Sequence, residues 1–222
     1  VVSGTDYVAL ALGPKQGAVL SQSGEVTMWG YSEQGQLGYT KQIHSVPKAL
    51  NWTAASRVVQ ISLGDSYSAA VTDDASLYTW GSGLYGRLGH DSETDRLTPT
   101  LVEDLKDNGV RVAQVSCGPE VCTAVTVGGQ VYVWGHSQNG QLGLGSLAHS
   151  KKTGVNQRTP VLLEKLAATP IRAVSCGQTH TIAIASNGRL WAWGKGDAGQ
   201  TGLGDKALHW TPMVIERGPI AE

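Results

Sequence analysis

The sequence predicts an all-β fold built from four similar sheets, and the first observation behind this prediction is an internal repeat. A Trp-Gly pair occurs four times, with the tryptophans at 29, 80, 134 and 193 and spacings of 51, 54 and 59 residues. In every copy one glycine lies sixteen residues before the tryptophan, and two more lie six and nine residues after it. Offsets shared by four copies indicate a repeat protein.

The second observation is the pattern of apolar residues inside each copy. The copy around Trp80 has four strand-sized segments rich in β-branched and aromatic residues, at 58–62, 67–72, 77–80 and 98–102. Turn residues separate them, and none shows the i, i+3, i+4 spacing of a helix. Each copy therefore predicts one four-stranded antiparallel sheet. The chain is then a single array over 1–222, with approximate repeats 1–50, 51–107, 108–169 and 170–222.

The other copies follow the same plan, and a proline supplies the third observation. The corresponding segments are 7–11, 17–20, 26–29 and 46–50; 112–116, 121–127, 131–134 and 159–163; and 171–175, 180–185, 190–193 and 211–215. The last segment of every copy contains a proline, at 47, 99, 160 or 212. Because proline cannot donate to a strand ladder, we expect this strand at a sheet edge. Four-stranded units of about 50 residues are typical of propeller blades, and the four repeat tryptophans are expected in the core or between blades.

Composition narrows the function classes. The formal net charge of −1 over 222 residues argues against general attraction to nucleic acid or to acidic membranes. The sequence contains neither an apolar run of about 18 residues nor a signal-peptide pattern. Three cysteines without an export signal favour reduced thiols. We therefore expect a cytoplasmic or nuclear protein.

Motifs that could indicate cofactor or metal chemistry are explained by the repeat. Residues 81–86 and 194–199 both read G-x-G-x-x-G, but turn residues follow them where a dinucleotide site needs a helix. Cys117 and Cys122 flank a turn and could face each other across a hairpin, but zinc requires four ligands. Cys117 and Cys176 share a repeat position that is leucine in the other copies, which favours buried structural thiols. We expect no cofactor, no metal and no catalytic residues.

Two motifs resemble a known family. Cys176-Gly177-Gln178-Thr179-His180-Thr181 and Gly140-Gln141-Leu142-Gly143, together with the Trp-Gly pairs, resemble the regulator-of-chromosome-condensation repeats. The resemblance covers nearly the whole chain and implies a β-propeller of this type. The family's propeller has seven blades, of which this chain supplies four. Because an open arc leaves an apolar face at each end, we expect a partial ring completed by further blades or by another chain.

The resemblance implies two functions. The first is a protein–protein interaction scaffold that presents loops to a regulatory partner as part of a larger protein. The alternative is guanine-nucleotide exchange on a small GTPase, the activity of the family's founding member. Residues that match GTPase-contacting loops are Asp65, Tyr67 (in place of a histidine), His180 and Asp197. Residues 82–97 hold no wedge insertion, which argues against exchange. Since fold does not fix function, we favour the scaffold.

A lengthened loop in the third copy is a second candidate for partner binding. From the tryptophan to the edge proline there are 26 residues in this copy, against 18 or 19 in the others. The additional segment carries Lys151, Lys152 and Arg158 and no acidic residue. Binding residues are often found on loops held by a rigid scaffold. The alternative is a solvated, flexible loop.

Overall fold

A computed structural model describes residues 6–39, 41–146 and 156–216. Sixteen strands account for nearly half of these residues. The strands are β1 (Tyr7–Leu12), β2 (Gln16–Ser21), β3 (Val26–Gly30), β4 (His44–Ala49), β5 (Val58–Leu63), β6 (Tyr67–Thr72), β7 (Leu77–Gly81), β8 (Arg96–Leu101), β9 (Val112–Cys117), β10 (Val121–Thr126), β11 (Val131–His136), β12 (Asn156–Leu162), β13 (Ile171–Cys176), β14 (His180–Ala185), β15 (Leu190–Lys195) and β16 (Leu208–Val214). Helical structure in the described part includes α1 (Glu103–Asp107) and the short 3₁₀ turns Leu84–Gly86 and Glu164–Leu166.

The strands form four antiparallel sheets, in each of which four consecutive strands lie side by side in chain order. The predicted all-β fold of four-stranded blades, almost without helix, is confirmed. The prolines lie in β4, β8, β12 and β16, which are edge strands as predicted. We refer to the sheets as blades one to four.

The backbone conformation explains why a glycine follows each repeat tryptophan, as blade two shows. Gly81 has φ +103, and a Cβ there would lie 2.6 Å from the backbone oxygen of Ser66. The next residue, Ser82, donates its backbone N–H to that same oxygen at 2.8 Å. Only glycine combines this φ with such close approach to the turn between the first two strands. The repeat glycine therefore closes each blade's loop onto its own turn.

Successive blades pack face to face, and the repeat tryptophans lie between them. Trp80, Trp134 and Trp193 are fully buried, each in a core formed with the preceding blade. Their indole N–H groups donate to backbone oxygens of the preceding blade's glycine-rich loop, at 2.9–3.0 Å on Gln36, Arg87 and Gln141. The prediction of buried tryptophans is confirmed for these three. Trp29 is only half-buried, because no described blade precedes the first.

The innermost strands are also joined by side chains. The amide of Gln60 donates to the Val115 oxygen at 3.0 Å and accepts from the Val115 N–H at 2.8 Å. Gln114 makes the same pair of bonds to Val174 in the next blade. In blade one the corresponding residue is Ala9, which cannot make them. These hydrogen bonds join the inner strands of blades two, three and four, whereas the inner strands of blades one and two lack the glutamine pair.

Both ends of the arc present apolar side chains. Leu10 and Leu12 are each 72% exposed, while the residues at the same positions in blade two, Ile61 and Leu63, are each 6% exposed. At the other end, on blade four, Leu190 is 37% exposed. Among the described residues, no further sheet covers either face.

Candidate functional site at the loops of blades two and three

One side of the arc carries the turns between the first two strands of each blade, together with the loops that follow the Trp-Gly pairs. We call this side the turn face. The turns adjoin one another, since a Cβ placed on Gly13, Gly64 or Gly118 would lie 2.7–2.8 Å from the backbone oxygen of the corresponding glycine in the next blade. Residues from different blades therefore form one continuous surface on the turn face.

The loop of blade two departs from the repeat. In the other three blades a glutamine side chain accepts the backbone N–H of the residue two positions earlier, at 2.7–3.1 Å; these are Gln36, Gln141 and Gln200. Blade two has Arg87 at this position, and a guanidinium has no acceptor. Arg87 instead donates to the backbone oxygens of Leu84, at 2.8 Å, and Pro119, at 2.9 Å. The arginine thus ties this loop to the turn of blade three.

The changed loop brings aromatic and charged side chains together. Tyr85 has φ +62, unlike its equivalents in the other blades, and it stacks on His136 with ring centroids 4.3 Å apart and planes 19° apart. Nδ1 of His136 lies 2.9 Å from a Glu120 carboxylate oxygen. The Arg87 guanidinium carbon is 5.4 Å from the Tyr85 ring centroid. We call Tyr85, Arg87, Glu120 and His136 the junction cluster.

The junction cluster has features of a protein-binding surface. Arg87 is buried, which leaves its charge under the Tyr85 ring, while Tyr85, Glu120 and His136 are partly exposed. Leu84, beside them, is 47% exposed. Tyrosine and arginine held rigidly beside an apolar side chain are the residue types enriched at binding hot spots. The arrangement can therefore recognise a protein surface without further folding.

Two of the predicted site residues lie accessible on the turn face. Asp65 is exposed in the turn of blade two, next to Ser66. Asp197 is exposed in the loop of blade four, 2.8 Å from the Lys195 ammonium and 3.1 Å from the Gln200 amide. Hydrogen bonds from Lys195 and Gln200 lower the pKa of Asp197. The Asp197 carboxylate is therefore ionised at neutral pH, and both side chains are accessible to a partner.

The structure corrects the placement of Tyr67. Its side chain is fully buried between blades two and three, and its hydroxyl donates to the Val121 oxygen at 2.5 Å. Gln16, at the same repeat position, likewise donates to backbone oxygens of the next blade, on Gly64 and Tyr67. This position links blades because its side chain points from one sheet towards the next. Tyr67 is therefore not part of the accessible surface.

His180 holds this position in blade four and lies on the open face. It is half-buried against its own turn, where a Cβ on Gly177 would lie 2.3 Å from the ring. Burial lowers the pKa of His180. By the pattern of Gln16 and Tyr67, its side chain points to where a further blade would pack.

The second predicted site is only partly described. Arg158 is exposed in β12, and its Nε lies 3.7 Å from an Asp91 carboxylate oxygen of blade two. The backbone oxygen of Arg158 accepts the Asp91 N–H at 3.0 Å. Lys151 and Lys152 lie outside the described residues. In the described part, Arg158 contributes to the contact between blades two and three.

Cofactor and metal motifs find no structural support in the described ranges. Residues 81–86 end in a three-residue 3₁₀ turn, which offers no helix N-terminus to a pyrophosphate. Over 6–39, 41–146 and 156–216, no three histidine, cysteine, aspartate or glutamate side chains are grouped to hold a metal ion. None of the helices in these ranges is long and apolar enough to cross a membrane.

Sequence reasoning missed the junction cluster. A signal was present, because Arg87 interrupts a glutamine position shared by the other three copies. Its contact with Pro119, and the stacking of Tyr85 on His136, join residues from different repeats. Comparison of the copies alone does not reveal which residues meet across that junction.

The four sheets and the repeated Trp-Gly register define a repeat β-propeller. The sequence profile of the RCC1-like domain matches residues 1–221, and the chain belongs to this family. The RCC1-repeat resemblance predicted from the motifs is confirmed. Among curated proteins, human E3 ubiquitin-protein ligase HERC2 is 39% identical over 204 residues, covering 89% of this chain and 4% of HERC2. Ultraviolet-B receptor UVR8 of Arabidopsis thaliana is 34% identical over 207 residues, covering 93% of this chain and 45% of UVR8.

Solved structures agree on the fold. Human WBSCR16 superposes with a TM-score of 0.82 at 24% identity, over 95% of this chain and 52% of that one. Yeast RCC1 (Prp20), in its complex with Kap60, gives a TM-score of 0.82 at 24% identity, over 98% of this chain and 50% of that one. The chain thus spans about half the length of these solved relatives and a smaller share of the curated ones.

Proposed function

We propose that this chain is part of a β-propeller that serves as a protein–protein interaction scaffold and binds a regulatory protein through its turn face. The observation that carries the proposal is the junction cluster. The blades are held by residues that recur in the repeat, such as the tryptophans, whereas Tyr85, Arg87, Glu120 and His136 occur at positions where the other copies differ. Residues that the repeat does not require, gathered on one accessible surface, favour recognition over architecture.

Acidic side chains on the turn face are placed to form a polar rim around the junction cluster. Asp65 and Glu120 lie in adjacent turns on the turn face, and Asp197 extends the acidic character to blade four. Interfaces commonly combine a central aromatic contact with a hydrated polar rim. Rim charges mainly set association rate and specificity, while the anchor side chains set the dissociation rate.

The experiment compares proteins retained from cell extract by the wild type and by three variants, with quantitative mass spectrometry. Tyr85→Ala removes the proposed anchor, and Asp65→Lys/Asp197→Lys reverses the rim. Asp107→Lys/Glu164→Lys is the matched control, because both acids are exposed in connections between blades, on the other side of the arc. We expect Tyr85→Ala to weaken the binding of a retained partner by about 2 kcal/mol. We expect the charge reversal at Asp65 and Asp197 to slow the association of that partner. Equal retention by all variants, with folding intact, would show that the turn face is misassigned.

Nucleotide exchange on a small GTPase is the alternative, favoured by the exposed Asp65 turn. Against it, residues 82–95 fold back on themselves, with the Gly83 N–H bonded to an Asp95 carboxylate oxygen at 3.0 Å. The scaffold proposal predicts that nucleotide release from a panel of GTPases is unchanged by the protein. Acceleration that Asp65→Lys abolishes would support the alternative.

We also propose that the two open faces are covered by further blades or by another chain. The support is the exposure of Leu10 and Leu12, together with the Trp29 indole N–H, which has no acceptor among the described residues. Sedimentation at micromolar concentration tests this. A compact, stable monomer with no additional polypeptide would contradict it.

A further inference from the structure

Beneath the turn of blade three lies a pair of thiols that the proposed function does not use. Cys117 ends β9, and Cys122 lies directly opposite in β10, with the two sulfur atoms 3.9 Å apart. The sequence prediction that these cysteines could face each other is confirmed. The intervening turn holds Pro119 and Glu120.

The backbone places this pair where a disulfide can form. The Gly118 N–H bonds across the hairpin to the Val121 oxygen at 2.8 Å, whereas the Cys117 N–H bonds to the Ser62 hydroxyl of blade two at 3.0 Å. Cys117 and Cys122 are therefore a non-hydrogen-bonded cross-strand pair, whose Cα atoms lie about 4.5 Å apart. Disulfides span Cα separations of about 4.4–6.8 Å. Rotation of the two side chains can join the sulfurs without moving the strands.

The two thiols are not equivalent. Burial would raise the pKa of Cys117, but hydrogen bonds from Cys122 and Ser62 oppose it, and the pKa is lowered. Burial and the hydrogen bond to Cys117 raise the pKa of Cys122 well above its usual value. Cys117 is half-buried and Cys122 is fully buried. A small oxidant therefore meets the more acidic and more accessible thiol first.

We propose that Cys117 and Cys122 form a peroxide-sensitive modification site that closes to a cross-strand disulfide. The Cys117 thiolate attacks hydrogen peroxide, so that an S–O bond forms, the O–O bond breaks, and the departing hydroxide takes a proton to become water. The Cys122 sulfur, losing its proton, then attacks the Cys117 sulfur. The S–S bond forms, the S–O bond breaks, and a second water leaves. Two thiols give up two electrons to one peroxide.

The site has a position from which it can affect the turn face. The hairpin between the two cysteines carries the Pro119 oxygen bound by Arg87 and the Glu120 carboxylate bound by His136. Oxidation would therefore add a covalent link across the base of the hairpin that supports the junction cluster. This consequence rests on the proposed function, whereas the oxidation itself does not.

The fourth blade supplies an internal control. Cys176 occupies the repeat position of Cys117, and its N–H is likewise bonded to a serine hydroxyl, that of Ser116, at 3.0 Å. The residue directly opposite is Thr181. The Cys176 thiol donates to the Thr123 hydroxyl at 3.2 Å. Cys176 thus shares the backbone setting and lacks a thiol partner across the hairpin.

The test treats the folded protein with hydrogen peroxide, alkylates the remaining thiols and measures peptides by mass spectrometry, without any partner. We expect Cys117 and Cys122 to become resistant to alkylation together, and the peptide that holds both to be lighter by two hydrogens than its reduced form. Cys176 should remain alkylatable, and dithiothreitol should reverse the change. Cys122→Thr copies the pair that blade four already holds. It should stop the reaction at a Cys117 sulfenic acid that dimedone traps.

Thr181→Cys provides a gain of function, because it should give Cys176 its own oxidisable partner, and it covers the case in which Cys122→Thr fails to fold. The proposal would be overturned if all three thiols of the wild type could still be alkylated after peroxide treatment. It would also be overturned if, in the wild type, the Cys176 thiol were oxidised together with that of Cys117. Neither result bears on partner binding, so the proposed function would stand or fall separately.

Discussion

The junction between blades two and three and the open face of blade one are built from the same repeat positions but have different surroundings. At the junction, Trp134 is fully buried and its N–H bonds to the Arg87 oxygen at 2.9 Å. On the open face, Trp29 is half-buried, and Leu12, in the same row of the sheet, is 72% exposed. One sequence pattern thus gives a core in one place and an exposed apolar surface in the other. A repeat position acquires its energetic role only from the blade that packs on it.

The largest expected difference between the two regions comes from the tryptophans. Trp134→Ala should destabilise the protein by about 3–5 kcal/mol, because it removes a buried indole and leaves a cavity. Trp29→Ala should cost about 1–2 kcal/mol, because a half-buried side chain loses less contact on truncation. Chemical denaturation measures both. Equal losses would mean that the open face of blade one is covered in solution.

Two glycines provide a finer comparison at the same repeat position. Gly89 and Gly202 have φ +79 and +68, so alanine at either should cost about 1–2 kcal/mol in backbone strain. A Cβ on Gly89 would also lie 3.1 Å from Nε1 of Trp134, whereas on Gly202 the nearest atom, on Ile215, is 3.7 Å away. We expect Gly89→Ala to be worse by about 1–2 kcal/mol, measured by thermal or denaturant unfolding. Indistinguishable variants would show that the indole yields without cost.

Two histidines test the comparison through pH. Burial, and to a lesser extent the charge of Arg96, lower the pKa of His90 to about 4. Burial also lowers the pKa of His180, which lies on the open face of blade four. Because His90 binds a proton less readily when folded, its contribution to stability is present above about pH 6.5 and is lost as pH falls towards 4. NMR titration should show His90 titrating well below His180. His90→Gln should flatten the pH dependence of unfolding in this window, and an unchanged slope would contradict the assignment.

The last comparison concerns the glutamine hydrogen bonds between inner strands. Gln60→Ala removes two hydrogen bonds to Val115 and should cost about 1–2 kcal/mol. Gln138→Ala, at an exposed position, is the control and should be neutral. Ala9→Gln offers the reverse change, since it could create at blades one and two the hydrogen bonds that they lack. If Gln60→Ala is as neutral as Gln138→Ala, the glutamine hydrogen bonds do not contribute to holding the inner strands together.

Much of the fold was available in the sequence, and Trp80 and Pro99 show why. The tryptophan repeats with its glycines at fixed offsets, and the proline excludes its strand from the sheet interior. Both depend on local chemistry and on a pattern repeated four times. The four-stranded antiparallel sheets, the edge strands and the burial of three of the four repeat tryptophans were therefore predicted correctly.

The candidate site was predicted only in part, as Asp65 and Tyr67 show. They are two residues apart in one motif, yet Asp65 is exposed and Tyr67 is fully buried. Asp65 lies in the turn before β6, whereas Tyr67 is the first residue of β6 and bonds to the next blade. Which face the next blade covers depends on how the blades pack, and the sequence alone does not reveal it.

The sequence by itself determined the repeat, the strands and the need for glycine after each tryptophan, because these depend on the backbone and on nearest neighbours in the chain. The tertiary structure alone decided that Arg87 reaches Pro119 and that Tyr85 stacks on His136. Both contacts join residues about 30 to 50 positions apart through the packing of one blade on the next. Such contacts are set by geometry in three dimensions, which a one-dimensional pattern constrains but does not specify.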